Sequence, residues 1–122
     1  MTLGKILRIV VLLMAVIVPG YALRAAPAWI WGASVQQTML DSQYYGLCMA
    51  RITPGPESVH PTCSSGWVTF SCTGDFNSKN DGNLKYQTTQ LSILSGKKLH
   101  ILVDDTKRHN GYCFAPRVDL LN

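Results

Sequence analysis

The segment DGNLKYQTTQLSILSGKKLHILVD, residues 81–104, decides the fold. Leu84, Thr88, Leu91 and Leu94 recur at spacings of three and four and fall on one helical face. Asp81 or Asn83 can cap the start. Gly96 stands where a C-terminal cap glycine belongs, and Lys97 and Lys98 suit the negative end of the helix. The period then drops to two. Leu99, Ile101 and Val103 point one way while His100, Leu102 and Asp104 point the other, which is a strand.

On the N-terminal side the pattern is a series of short strands. Ala33–Leu40 reads as a first strand, Asp41-Ser42-Gln43 as a turn, and Tyr44–Ile52 as a second strand. Thr53–Ser58 holds two prolines and a glycine and cannot sustain a ladder. Gly66–Cys72, with Trp67, Val68, Thr69 and Phe70, is a third strand. Gly74–Asn83 is polar and loop-like. On the C-terminal side, Asp105–Gly111 is a polar loop ending in Asn110-Gly111, a hairpin signal. Gly111–Leu121 closes the chain as a last strand with Tyr112, Phe114, Val118 and Leu120 on one face, and Pro116 implies an edge or a bulge there. The order is β-β-β-α-β-β: mainly β with one helix. It is the order of an OB-fold-like five-stranded barrel, and a two-layer α+β sheet gives the same string.

Residues 1–28 read as a secretory signal peptide. Lys5 and Arg8 precede the apolar run Ile9–Val18, then Pro19-Gly20 and small residues follow. Cleavage fits after Ala22 or after Ala28, the latter favoured, which leaves residues 29–122 as a single small secreted or periplasmic domain. The apolar run is about half the length a membrane span needs, so no stable membrane anchor is expected. Of the 11 Lys and Arg, Lys5, Arg8 and Arg24 lie in or beside the leader, so eight face seven Asp and Glu in the domain. A nearly neutral domain lacks the positive groove that single-stranded nucleic acid requires, and no nucleic-acid partner is expected.

Cys48, Cys63, Cys72 and Cys113 are even in number and show no CxxC spacing. His60, His100 and His109 do not cluster with them in sequence, so no metal is expected. In an exported chain they imply two disulfides, with three pairings open.

Several pieces in order carry a family resemblance. They are Tyr44-Tyr45-Gly46-Leu47-Cys48, then Cys63, then Ser64-Ser65-Gly66-Trp67, then a helix running through Ser95-Gly96-Lys97-Lys98 into the strand ending at Val103. Over Tyr44–Asp104 and the leader, the chain resembles the subtilase cytotoxin and pertussis-like toxin B subunits. The resemblance implies a secreted OB fold, a homo-pentameric ring, host glycan as ligand and a catalytic A subunit on another chain. The family's glycan pocket lies near the first strand. Here that region is Trp31–Val35, with Ser34 as the one counterpart of its serine. The resemblance also favours Cys48–Cys63 and hence Cys72–Cys113. Antiparallel pairing of the second and third strands offers the rival Cys48–Cys72 with Cys63–Cys113.

Catalytic constellations are weak. Asp104-Asp105 are neighbours on a strand end and point apart, unlike glycosidase acids. Ser64, His100 and Asp104 supply triad residue types without a nucleophile elbow. Asp75–Lys79 begins like a calcium loop but puts lysine where an oxygen ligand is needed. Lys107-Arg108-His109 reads as a solvated turn. Aromatic side chains are the better binding candidates, because sugars stack on ring faces. Trp31, Ser34, Tyr44 and Tyr45 are the ligand candidates; Trp29 and Trp31 precede the first strand, while Trp67 and Tyr112 are assigned to the core. The expectation is a non-catalytic binding subunit without a cofactor. The alternative is a monomeric exported domain, stapled by disulfides, with a structural or inhibitory role.

Overall fold

The computed structural model describes residues 26–122. The signal-peptide reading therefore lies, up to residue 25, outside the described residues. The elements are β1 (Ala28–Leu40), β2 (Cys48–Thr53), β3 (Trp67–Thr69), α1 (Lys79–Ser95), β4 (Leu99–His109) and β5 (Tyr112–Leu120). The sheet closes on itself in the order β1-β2-β3-β5-β4, an OB-fold-like barrel rather than an open two-layer sheet. Every neighbouring pair is antiparallel except β3 and β5, which run parallel.

β1 serves two neighbours. Its first half pairs with β4, from Ala28 opposite Val103 to Ala33 opposite Leu99. Its second half pairs with β2, from Ser34 opposite Thr53 to Leu40 opposite Cys48. The register of the first half shifts between Ile30 and Ala33, at Gly32, whose φ of 71° suits a residue without a Cβ. The strand thus begins at Ala28, five residues earlier than its sequence pattern suggests, and Trp29 and Trp31 lie within it. β2 begins later than expected, at Cys48, because Gln43–Tyr45 forms a 3₁₀ turn and both Gly46 and Leu47 take positive φ. β4 runs on to His109, through residues that read as a loop. Asn110 and Gly111 then turn the hairpin, both at positive φ. Pro116 sits in the bulge between the pairs Leu102–Arg117 and Asp104–Phe114.

The interior is lined by Ile30, Ala33, Ala50, Ile52, Val68, Phe70, Leu99, Ile101 and Val103, all buried. Helix α1 is capped by Ser78, whose hydroxyl accepts from the Asp81 N–H, and ends at Gly96 in the left-handed conformation. Its buried face carries Gly82, Tyr86, Thr89 and Ser92, while Leu84, Leu91 and Leu94 face solvent at 52, 54 and 84 % exposure. At Gly82 the helix lies too close to the barrel for a side chain. A Cβ on Gly82 would stand 2.9 Å from both Cys72 Cα and the Phe70 carbonyl oxygen.

The disulfides are Cys48–Cys72 and Cys63–Cys113, with Cα separations of 5.7 and 5.6 Å. This corrects the favoured pairing of Cys48 with Cys63 and of Cys72 with Cys113. Antiparallel β2 and β3 bring Cys72 beside Cys48, and the Phe70 N–H donates to the Cys48 carbonyl at 3.1 Å. The β2–β3 connection meanwhile swings Cys63 to the β4–β5 hairpin. His60 Nε2 meets the Val103 carbonyl at 3.0 Å, the Arg108 guanidinium donates to the Thr62 carbonyl at 2.6 Å, and the Ser64 N–H donates to Gly111. Two disulfides mark a fold made in an oxidising environment, extracellular or periplasmic. Among the described residues no helix is long and apolar enough to cross a membrane.

Two stability outcomes follow from this packing. Gly82→Ala normally gains about 0.5–1 kcal/mol in a helix interior, but here it forces a backbone clash and destabilises by about 1–3 kcal/mol in denaturant melts. Removing the Cys63–Cys113 bridge, which spans 50 residues, with alanines at both positions lowers stability by about 3–4 kcal/mol in the same assay.

Candidate binding surfaces

The outer face of β1–β3 carries an aromatic pocket of about 240 Å³. Met49 shows how it forms. In β2, Cys48, Ala50 and Ile52 point into the barrel, so Met49 and Arg51 point out. Met49 is nonetheless only 1 % exposed. It is the floor of the pocket, with Met39 of β1, Trp67 of β3, Tyr112 of β5 and Tyr45 of the β1–β2 turn as walls, and Asp41 contributing a carboxylate. Tyr45 and Tyr112 meet edge to face at 5.8 Å, and Tyr44, 65 % exposed, extends the wall 5.4 Å from Tyr45.

The loops are pinned where they feed the pocket. The Thr69 hydroxyl donates to the Tyr45 carbonyl at 3.0 Å. Gly46 is required beside it, because a Cβ there would strike Thr69 Oγ1 and the His109 ring. The Gly66 N–H donates to the Glu57 carboxylate at 3.0 Å just before Trp67, and that hydrogen bond holds the Glu57 pKa below the ordinary carboxylate value. His109 lies behind the turn. Its Nε2 is 2.9 Å from Ser71 Oγ and 3.8 Å from Asp75, and its ring packs on Phe76 at 4.5 Å. Burial lowers the His109 pKa against the opposing pull of Asp75. Serine and carboxylate approach the same ring nitrogen, and Ser71 is fully buried, so this cluster lacks the relay of a hydrolytic triad.

The residues singled out in the sequence divide among separate surfaces. Tyr44 and Tyr45 belong to the aromatic pocket. Trp31 forms a second surface, stacked on Trp29 at 5.0 Å and 20° and meeting His100 edge-on at 4.7 Å. His100 Nδ1 accepts from the Gly32 N–H at 2.9 Å, fixing that ring. Arg117, paired with Asp119 at 2.9 Å, sits 5.3 Å over the Trp29 ring. Ser34 lies on a third surface, a shallow hollow beside Ser92, Ile93 and Lys97 of the α1 end. Trp67 and Tyr112, assigned to the core from their pattern, are pocket walls instead; the core positions are their neighbours Val68 and Cys113. Ser64, His100 and Asp104 do not assemble. Ser64 packs on Gly111 and His100 on Trp31, and four residue steps along the strand, about 13 Å, separate His100 from Asp104. Among the described residues no group of three or more His, Cys, Asp or Glu could hold a metal ion.

The chain matches no protein-family model, no curated protein and no solved structure.

The lowered His109 pKa has a pH consequence. A histidine held neutral contributes stability that is complete above its ordinary value of 6.5 and is lost as pH falls from there towards the lowered value. Melting temperature therefore drops between pH 7 and pH 5, and His109→Gln makes the drop smaller. An identical drop in the variant would assign the acid sensitivity to other groups.

Proposed function

We propose that the protein is a non-catalytic glycan-binding subunit, with the aromatic pocket as its sugar site. The observation that carries this reading is the convergence of Tyr45, Trp67 and Tyr112 around a single carboxylate, Asp41. Ring faces take the apolar side of a pyranose, and a carboxylate accepts from its hydroxyls. The position supports it as well. OB barrels bind oligosaccharides on the face of strands 2 and 3 and the loops joining strands 1–2 and 4–5. Met49 and Trp67 come from those strands, while Asp41 and Tyr45 come from the first of those loops and Tyr112 from the end of the second.

The resemblance to toxin B subunits supplies the assembly. In this reading a second copy of the chain covers Leu91 and Leu94 near the C-terminal end of α1, and a catalytic A subunit sits on the resulting ring. Leu91 and Leu94, on adjacent turns of the helix, form an exposed apolar patch, the kind of surface that association removes from water. Trp31 offers a further stacking surface on the barrel wall.

A glycan array probed with the oxidised protein should yield specific binders. If a sugar stacks as a nucleobase does, losing the ring costs about 1–3 kcal/mol, so Tyr45→Ala or Trp67→Ala lowers affinity for them by about five- to 150-fold. Unchanged affinity in both variants would remove the pocket from the reading. Light scattering should give a particle several-fold above the chain mass that Leu91→Glu with Leu94→Glu reduces to monomer; a monomeric parent protein would contradict the ring.

A further inference from the structure

A separate cleft of about 410 Å³ lies between α1, the loop before it and β5. Its apolar walls are Phe76, Leu84, Phe114, Pro116 and Val118. Three cations border it: Lys85 from α1, Lys107 from β4 and Arg117 from β5, against one carboxylate, Asp81. Lys85 is held in place. Its Nζ donates to the Ala115 carbonyl at 3.1 Å and the Pro116 carbonyl at 3.3 Å, and it lies 4.5 Å over the Phe114 ring. Arg117 is matched by Asp119, but among the described residues neither Lys85 nor Lys107 enters a salt bridge. Asn77 lines the same cleft. Its Nδ2 donates to the Phe70 and Ser71 carbonyls, which fixes the amide and leaves Oδ1 buried with no hydrogen-bond partner.

These features have complementary requirements. The two unpaired ammonium groups call for an anion. The rings call for an apolar group. We infer that the cleft binds the carboxylate end of a peptide chain whose last residue is apolar. The carboxylate lies at Lys85 and Lys107, and the terminal side chain packs on Phe114 and Pro116. The inference is independent of the sugar pocket, which shares no residue with this cleft.

Lys85 gives the site a pH dependence. Burial pushes its pKa down to about 8, with Asp81 opposing. The charged groups around it are Asp81 on its own helix, Lys107 on β4 and Arg117 on β5. Affinity for an anion therefore falls as pH rises through and above that value.

The test is an amide NMR titration of the oxidised full chain with N-acetyl-leucine, its neutral amide N-acetyl-leucinamide, an acetylated tetrapeptide ending in leucine, and methyl glucuronide. The expected result is saturable shifts at Phe76, Lys85 and Phe114 with the two leucine acids, tightest for the tetrapeptide, and none with the amide. Lys107→Gln, which leaves the Lys85 contacts intact, weakens binding about threefold or more, and raising the pH from 7 to 9 weakens it about tenfold. Equal binding of acid and amide, absence of shifts with every probe, or tighter binding of methyl glucuronide than of the tetrapeptide would each overturn the inference. The last would assign the cleft to acidic sugars.

Discussion

The barrel depends on its narrowest seam. β3 has three residues, and it meets β5 through a single register pair, Thr69 with Phe114. Parallel strands cannot be joined by a tight hairpin, so local chain connectivity does nothing to hold them together. The two disulfides stand beside the seam instead. Cys113 immediately precedes Phe114 and ties β5 to the β2–β3 connection, while Cys72 follows β3 and ties its exit to Cys48. A domain this small buries a modest core, and covalent closure at its weakest strand pair is where cross-links stabilise it most usefully.

The aromatic pocket is built across the same seam. Trp67 comes from β3, Tyr112 from β5, and Tyr45 from a turn that Thr69 of β3 holds by its hydroxyl. The spacing of Trp67 and Tyr112 is therefore set by barrel closure, and Tyr45 is set by a turn anchored to β3. His109, Ser71 and Phe76 fill the space behind the Tyr45 turn, so the wall rests on packed side chains. The cationic cleft has a similar origin on the other side of β5. The Pro116 bulge leaves the Ala115 and Pro116 carbonyls free to accept from Lys85, which draws the amine onto the face of Phe114.

Much of this was legible in the sequence where a residue type has one physical use. Gly96 ended the helix, Asn110-Gly111 turned a hairpin, Pro116 fell at a bulge, and the change of period after Gly96 separated helix from strand. The element order that results is that of the closed barrel. Legibility failed where two readings share one pattern. The leucine stripe of α1 has the spacing of a core face, yet Gly82, Tyr86, Thr89 and Ser92 lie inward, and at Gly82 the approach to Cys72 and Phe70 leaves no room for a side chain. Trp67 and Tyr112 look like core residues because alternation in a strand does not say which face is inside. The flanking Cys48 and Ala50 around Met49 carried that signal, since they are the small residues that fit the barrel interior. Disulfide pairing was beyond local pattern altogether. It depends on where the β2–β3 connection lies, and contacts of His60, Thr62 and Ser64 with β4 and the hairpin decide that.

The central claim is that the disulfides hold the β3–β5 seam and, through it, the pocket. Hydrogen exchange of the oxidised and the fully reduced protein, compared residue by residue, tests it most directly. The account predicts that reduction strips protection first from Trp67–Thr69 and Tyr112–Phe114, while the β1–β4 ladder and the β4–β5 pairs of Leu99–Leu102 with Arg117–Leu120 keep theirs. Uniform loss across all five strands, or a seam as protected after reduction as before, would contradict it.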